Sequence, residues 1–240
     1  MTAPQRGAKV ARPSKKTDEL ILDTAERLFA TDGLGAVSLR RIAQEAKVDA
    51  ASITYHFGNK DSVVEAVVAR RVGTMNDARL EALADVLDRT RNRPSIEDVL
   101  DALFRPWLDL YLSGDEGWRH YSRVTARMLM VPRLAEMYDR HMRRVEVPFL
   151  NAMRLAAPEA DDRNLYWAVG FAVGSAVFLF SETPRLDLYS RGRCSSKDTR
   201  AGYDRLLRFI SAGVEATANS PFPEDLLPPP TSKRKTANRP

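Results

Sequence analysis

Side chains able to do covalent or metal chemistry are few in this chain of 240 residues: His56, His120 and His141, and one cysteine, Cys194. No metal-ligand spacing, phosphate-binding glycine loop or nucleophile elbow accompanies them. No enzyme activity, metal or cofactor is therefore expected. The stretch that invites a functional reading is instead "KVDAASITYHFGNKDSV", residues 47–63. It reads as a short helix between two turns, carrying small side chains, hydroxyls, a phenol, an imidazole and two lysines, but no arginine. Such groups act by hydrogen bonding and charge, so the question is whether this helix reads DNA or only completes a bundle.

The elements around it are helical. Ile21, Ala25, Leu28 and Phe29 share one face of a first helix over 17–32, which Gly33 stops. Ser38 is a plausible cap for a second, with Leu39, Ile42, Ala43 and Ala46 in a buried stripe. Asp49 can cap the third helix, in which Ile53 and Phe57 point inward. Gly58 ends it, and Asn59 can cap the fourth. Farther on, Ser95 opens "IEDVLDALFRPWLDLYL", which Pro106 should interrupt, and Pro148 should kink or divide the segment 133–155. "TPRLDLYSRGRCSSK" reads as a loop before a last helix. Alternating β-branched runs and hairpin signals are absent, so the fold class is all-α.

Charge is unevenly spread. Residues 1–16 hold Arg6, Lys9, Arg12, Lys15 and Lys16 without an acid, and 231–240 hold Lys233, Arg234, Lys235 and Arg239, again without one. These nine exceed the net charge of +5, which leaves 17–230 at −4. Both ends, 1–16 and 220–240, read as disordered basic segments suited to a polyanion. One cysteine and no secretory signal suit the cytoplasm. Residues 165–180 are sixteen without a charge, short of the ~20 that span a bilayer. A buried or interface helix is expected there, and no membrane partner.

Two helices of about eight residues joined by the turn "KVD" have helix-turn-helix spacing, although many structural bundles share it. The residues themselves say more. "ILDTAERLFATDGLGAVSLRRIAQEAKVDAASITYHFGNKDSVVEAV" closely resembles the DNA-binding domain of TetR-family transcriptional regulators. The "AxxLFAxxG" first helix, "SLRRIAxxA", "YHFGNK" and the apolar start of the fourth helix carry the match over 17–68. The resemblance implies an N-terminal three-helix DNA-binding domain over 17–63 and a helical ligand-binding and dimerisation domain over 64–219. It implies a homodimer binding a palindromic double-stranded operator, most simply as a repressor released by its effector; an activator would use the same contacts.

By position, the family's DNA contacts fall on Ser38 and Arg40 of the second helix, and on Ala50, Ala51, Ser52 and Thr54 facing the groove. Tyr55, His56 and Lys60 would hold phosphates. The chain departs from the family at Lys47, where glycine is usual, and at Thr54, where many relatives have an aromatic. With no Arg, Asn or Gln on the third helix, Arg40 is expected to make the strongest base contact.

The C-terminal half resembles a subgroup responsive to fatty acids or acyl-CoA. Phe104, Trp107, Tyr111, Met128, Met137, His141, Trp167 and Phe171 are candidates to line a small apolar effector's pocket, and a planar drug-like ligand is the alternative class. Arg123, Arg127 or His141 could meet a carboxylate. Gly170, Gly174, Phe178, Leu206, Phe209 and Ile210 are candidate dimer residues, the glycines flanked by Ala168, Ala172 and Ala176. Two rivals remain: an enzyme acting on a lipid through His120 or His141, and a protein that coats DNA non-specifically through its basic ends.

Overall fold

The computed structural model describes residues 15–221; of the two ends expected to be disordered, 1–14 and 222–240 lie outside the described residues, while Lys15 and Lys16 belong to the first helix. All regular structure among the described residues is helical. The elements are α1 (Lys15–Asp32), α2 (Leu39–Ala46), α3 (Ala50–Phe57), α4 (Lys60–Arg89) and α5 (Ile96–Leu112). They continue with α6 (Glu116–Leu129), α7 (Pro132–Ala156), α8 (Asp162–Phe180), α9 (Arg185–Tyr189) and α10 (Thr199–Ala218).

The expected caps form. Ser38 Oγ accepts from the N–H of Arg41 at 3.2 Å, Asp49 from that of Ala51 at 3.0 Å, and Asn59 from that of Ser62 at 3.0 Å. Each satisfies a donor that the start of a helix leaves without an intrahelical partner. Burial then sets the packing of α1–α3. Ile21, Ala25, Phe29, Ile42 and Ile53 are fully buried, and they join Val63, Val64 and Val67 from the first turns of α4 in one core. Helix α4 runs unbroken through the expected boundary at residue 63, so one rod serves both halves.

In the second half α4 packs on α5 and α7, α5 on α10, and α8 along α10, while α6 also contacts α1. Neither proline divides its helix: α5 continues through Pro106 and α7 through Pro148. Proline removes one N–H from the ladder, but both helices bury an apolar face on either side of it, and packing carries most helical stability in a folded protein. The segment expected as a loop contains the short α9. Helix α8 is apolar enough to cross a membrane by composition, with mean hydropathy 1.2. Its Leu165, Ala168, Ala172, Ala176 and Phe180, however, are sunk in the protein core at 0–1% exposure.

Candidate functional site

The turn between α2 and α3 is tight enough to need a left-handed residue. Lys47 supplies it at φ 54°, its N–H directed at the carbonyls of Ala43 and Gln44. A non-glycine residue pays roughly 1 kcal/mol there. Asp49 then restarts the chain as α3, which Ile53, fully buried, pins to the core.

The opposite side of α3 is open. Ala50, Ala51, Thr54 and Tyr55 are exposed, Tyr55 to 83%, and Ser52 and Lys60 are half-buried. The Thr54 hydroxyl donates to the Ala50 carbonyl at 3.3 Å. On α2 the two adjacent arginines differ. Arg41 pairs with Asp32 at 2.6 Å, whereas Arg40 is exposed and has no ion pair or side-chain hydrogen bond to a described residue. Ser38 is exposed beside it and engaged as a cap. His56 lies differently from expectation. Its Nδ1 is 3.7 Å from Asp18 on α1, and its Nε2 is enclosed without a partner. The contact with Asp18 thus turns Nδ1 of this ring toward α1.

The head formed by α1–α3 is tied to the rest by charge. Glu26 of α1, 3% exposed, receives Arg70 at 2.7 Å and Arg71 at 3.0 Å from α4. Arg70 also reaches Asp23, and Arg71 reaches Asp115 ahead of α6 while lying over the Trp118 ring. Gly117 leaves room for this arginine: a Cβ there would sit 1.6 Å from its Nη2. From α6, Arg127 donates to the carbonyls of Phe29 and Ala30 at the end of α1. On the other side of α4, Asp61, Glu65 and Asp77 pair with Arg133, Arg140 and Arg144 of α7.

Inside the second half, Phe104, Trp107, Tyr111, Met128 and Met137 are all buried. Trp107 stacks on Phe180 at 4.3 Å between centroids, and its Nε1 donates to Ser122 at 2.7 Å. His141 is partly exposed, its Nε2 3.7 Å from Glu65. Trp167 and Phe171 do not join them. Both are 60% exposed on the outer side of α8, because the inward positions of that helix fall at Leu165, Ala168 and Ala172. The arginines expected to meet a carboxylate are occupied as well, Arg123 by Glu182 and Arg127 by α1.

Two polar residues escaped the sequence reading. Asn76 and Arg79 of α4 are each only 3% exposed, deep in this core. A signal was present: Val72, Met75, Asn76, Arg79 and Leu83 follow the spacing of one buried helical stripe, so two of its members are polar where apolar side chains belong.

Along α8 and α10 runs an open groove of about 1120 Å³. All six candidate dimer residues line it: Gly170, Gly174 and Phe178 from α8, Leu206, Phe209 and Ile210 from α10. The expected small-residue face splits in two. Ala168, Ala172 and Ala176 turn inward, while Gly170 and Gly174 are exposed, and a Cβ on either would meet nothing within 4 Å. Packing within one chain therefore does not require these glycines. Phe171, Phe178 and Phe209 stand exposed around them at 60%, 45% and 70%.

Comparison with known proteins agrees with the geometry. Residues 21–67 match the profile of bacterial regulatory proteins of the tetR family, and 101–213 that of the tetracyclin repressor-like C-terminal domain. An HTH-type transcriptional repressor of Mycobacterium tuberculosis is 41% identical over 75 residues, which are 30% of this chain and 39% of that protein. The chain thus aligns with less than half the length of the curated relatives it matches. Among solved structures, SmeT, repressor of the Stenotrophomonas maltophilia multidrug efflux pump SmeDEF, is similar. Its triclosan complex has TM-score 0.56 at 22% identity, covering 88% of this chain and 100% of that one. The fatty acid degradation regulator FadR from Bacillus halodurans gives TM-score 0.50 at 14% identity, covering 86% and 96%. At these identities the likeness is one of fold.

Proposed function

This chain belongs to the TetR family of bacterial regulatory proteins, and from that premise we propose that it is an effector-responsive transcriptional repressor. In this reading a cytoplasmic homodimer binds a palindromic operator and releases it when a small apolar ligand occupies the second half. Residues 17–63 form the reading head and 64–219 the ligand-binding and dimerising body.

The observation that carries the reading is the contrast on α2 and α3. Arg27 and Arg41 pair within the head, with Glu45 and Asp32, yet Arg40 is exposed with no ion pair to a described residue, and Tyr55 on the low-relief α3 is 83% exposed, its ring meeting only His56 edge-on. Ala50, Ala51, Ser52 and Thr54 allow that helix to approach base edges and thymine methyls, and Arg40 can reach a guanine. DNA shape carries the remaining selectivity. Tyr55 and Lys60 hold phosphates and set register, and His56 braces α3 on α1. Two such heads must lie one DNA turn apart, which requires a dimer. The exposed phenylalanines and outward glycines of the α8–α10 groove support that face as the contact between copies.

The buried aromatic and sulfur-containing core supports an apolar effector, and the fold likeness to FadR makes a fatty acid or acyl-CoA the first class to test. The ligand acts by differential affinity for two states of the dimer, which bounds its effect on DNA binding. Helix α4, gripped by α1 at one end and α7 along its length, is the connecting rod.

The test is binding to palindromic DNA from the upstream region and to random DNA as salt rises. Selective binding that survives physiological salt is expected, with Arg40→Ala reducing the selectivity and Lys60→Ala weakening both sequences alike. Equal affinity for the two DNAs would exclude a specific regulator in favour of non-specific coating.

A further inference from the structure

Several partly buried arginines of this protein meet carboxylates. Arg70, Arg71, Arg105 and Arg123, with side chains 20–37% exposed, each meet an aspartate or glutamate. Arg79 is far more buried than these, at 3%, and no described carboxylate lies within ion-pair distance of it. Its partners are neutral. Nε donates to the carbonyl of Leu103 at 3.0 Å, and Nη1 to Asn76 Oδ1 at 3.3 Å and Met142 Sδ at 3.7 Å. The first bond lies in the turn of α5 that Pro106 weakens by withholding its N–H. The two bonds at Nη1 are long, and Nη2 has no acceptor among the described residues.

The surroundings are equally uneven. The guanidinium lies 5.9 Å from the Trp107 ring centroid, and Trp107 is itself stacked on Phe180. Tyr121 of α6 is within reach of the same charge: burial pushes its hydroxyl well up, and Arg79 pulls it in the opposite direction. One turn along α6, Thr125 is 1% exposed, with its hydroxyl beside that of Tyr121. Met142, the neighbour at Nη1, is only partly buried, so a flexible thioether stands between Arg79 and the surface along α7.

A guanidinium stays charged at any physiological pH, and a buried charge normally has a counter-ion. Here one cation meets a main-chain carbonyl, an amide, a thioether and an indole ring in an apolar core, with Nη1 held by two long bonds and Nη2 by none among the described residues. We propose that Arg79 is the anion seat of the effector site and that the effector is an apolar monocarboxylic acid. Its carboxylate lies across Nη1 and Nη2 in the bidentate geometry that arginine favours, displacing Met142, and its apolar part lies against Trp107. A single cation suits a single charge, so the free acid is the ligand and a coenzyme A thioester, which lacks the carboxylate, is not. This rests on the reading of the protein as a ligand-responsive regulator.

The test uses the full chain and isothermal titration with dodecanoate and 2-naphthoate, each against its methyl ester, and with dodecanoyl-CoA. For at least one acid, affinity about tenfold or more above that of its ester is expected, with the thioester no better than the ester. Arg79→Gln should erase the preference. Should that variant fail to fold, Arg79→Lys serves: it keeps the charge but loses the fork, and should retain the preference while binding the acid about tenfold more weakly. Acids no tighter than their esters, a preference that persists in Arg79→Gln, or acid affinity unchanged in Arg79→Lys would overturn the proposal. Operator binding without ligand separates the two levels. If wild-type protein selects its operator but ignores the acids, only the seat is wrong; if it selects no DNA, the regulator reading fails first.

Discussion

Arg127 of α6 donates to the main-chain carbonyl of Ala30, 2.9 Å away in the last turn of α1. The same Nη1 reaches the Phe29 carbonyl. A cation from the body thus completes a helix end in the head, where carbonyls lack intrahelical donors and the dipole favours positive charge. Arg127→Ala should lower unfolding stability by about 1–3 kcal/mol in urea titration. It should also leave ligand-free operator binding nearly intact while shrinking the effect of ligand on it, since α6 then moves without carrying α1.

Asp98 gives a pH signature. Its hydrogen bond from Arg89, with further ones from Ser95, holds the carboxyl down at about 2 against burial. The folded value lies below the unfolded one of about 3.9, so the stabilisation is present above pH 4 and disappears as pH falls toward 2. Arg89 is 64% exposed, and solvent screening limits the contribution to about 1–2 kcal/mol. In Asp98→Asn, melting temperature should fall less steeply with acid than in wild type over this window; identical slopes would exclude the assignment.

Lys47 adopts φ 54° where glycine is the unstrained choice. Lys47→Gly should raise stability by about 0.5–1 kcal/mol by relieving the turn, the gain being reduced by the extra freedom of the unfolded chain. Guanidinium unfolding measures it. A loss of stability would mean that the turn is not under strain.

Phe209 is 70% exposed and lines the α8–α10 groove. Phe209→Glu should convert a dimer to a monomer in sedimentation velocity and weaken operator binding by at least tenfold, with little change in the fold of the subunit. A dimer that persists would place the contact on another face.

Much of the head was legible because its determinants are local. Ser38, Asp49 and Asn59 cap helices through their own side chains, and Ile42 and Ile53 follow the period of a helix. The short α9 was not legible, since five residues are too few to show a period. Pro106 and Pro148 were misleading for a complementary reason: proline opposes a helix locally, while burial on both sides of it is a long-range effect.

By itself, then, the sequence determined the all-helical class, the helix-turn-helix and most helix ends, because propensity, capping and periodicity act within a few residues. Tertiary structure alone decided which charges are engaged. It joined Glu26 to Arg70 and Arg71, turned His56 onto Asp18, gave Arg123 to Glu182, and left Arg79 in the core without an anion. Those outcomes depend on which helix faces which across tens of residues, and on water being excluded once they meet. Neither is written in the spacing of any single helix.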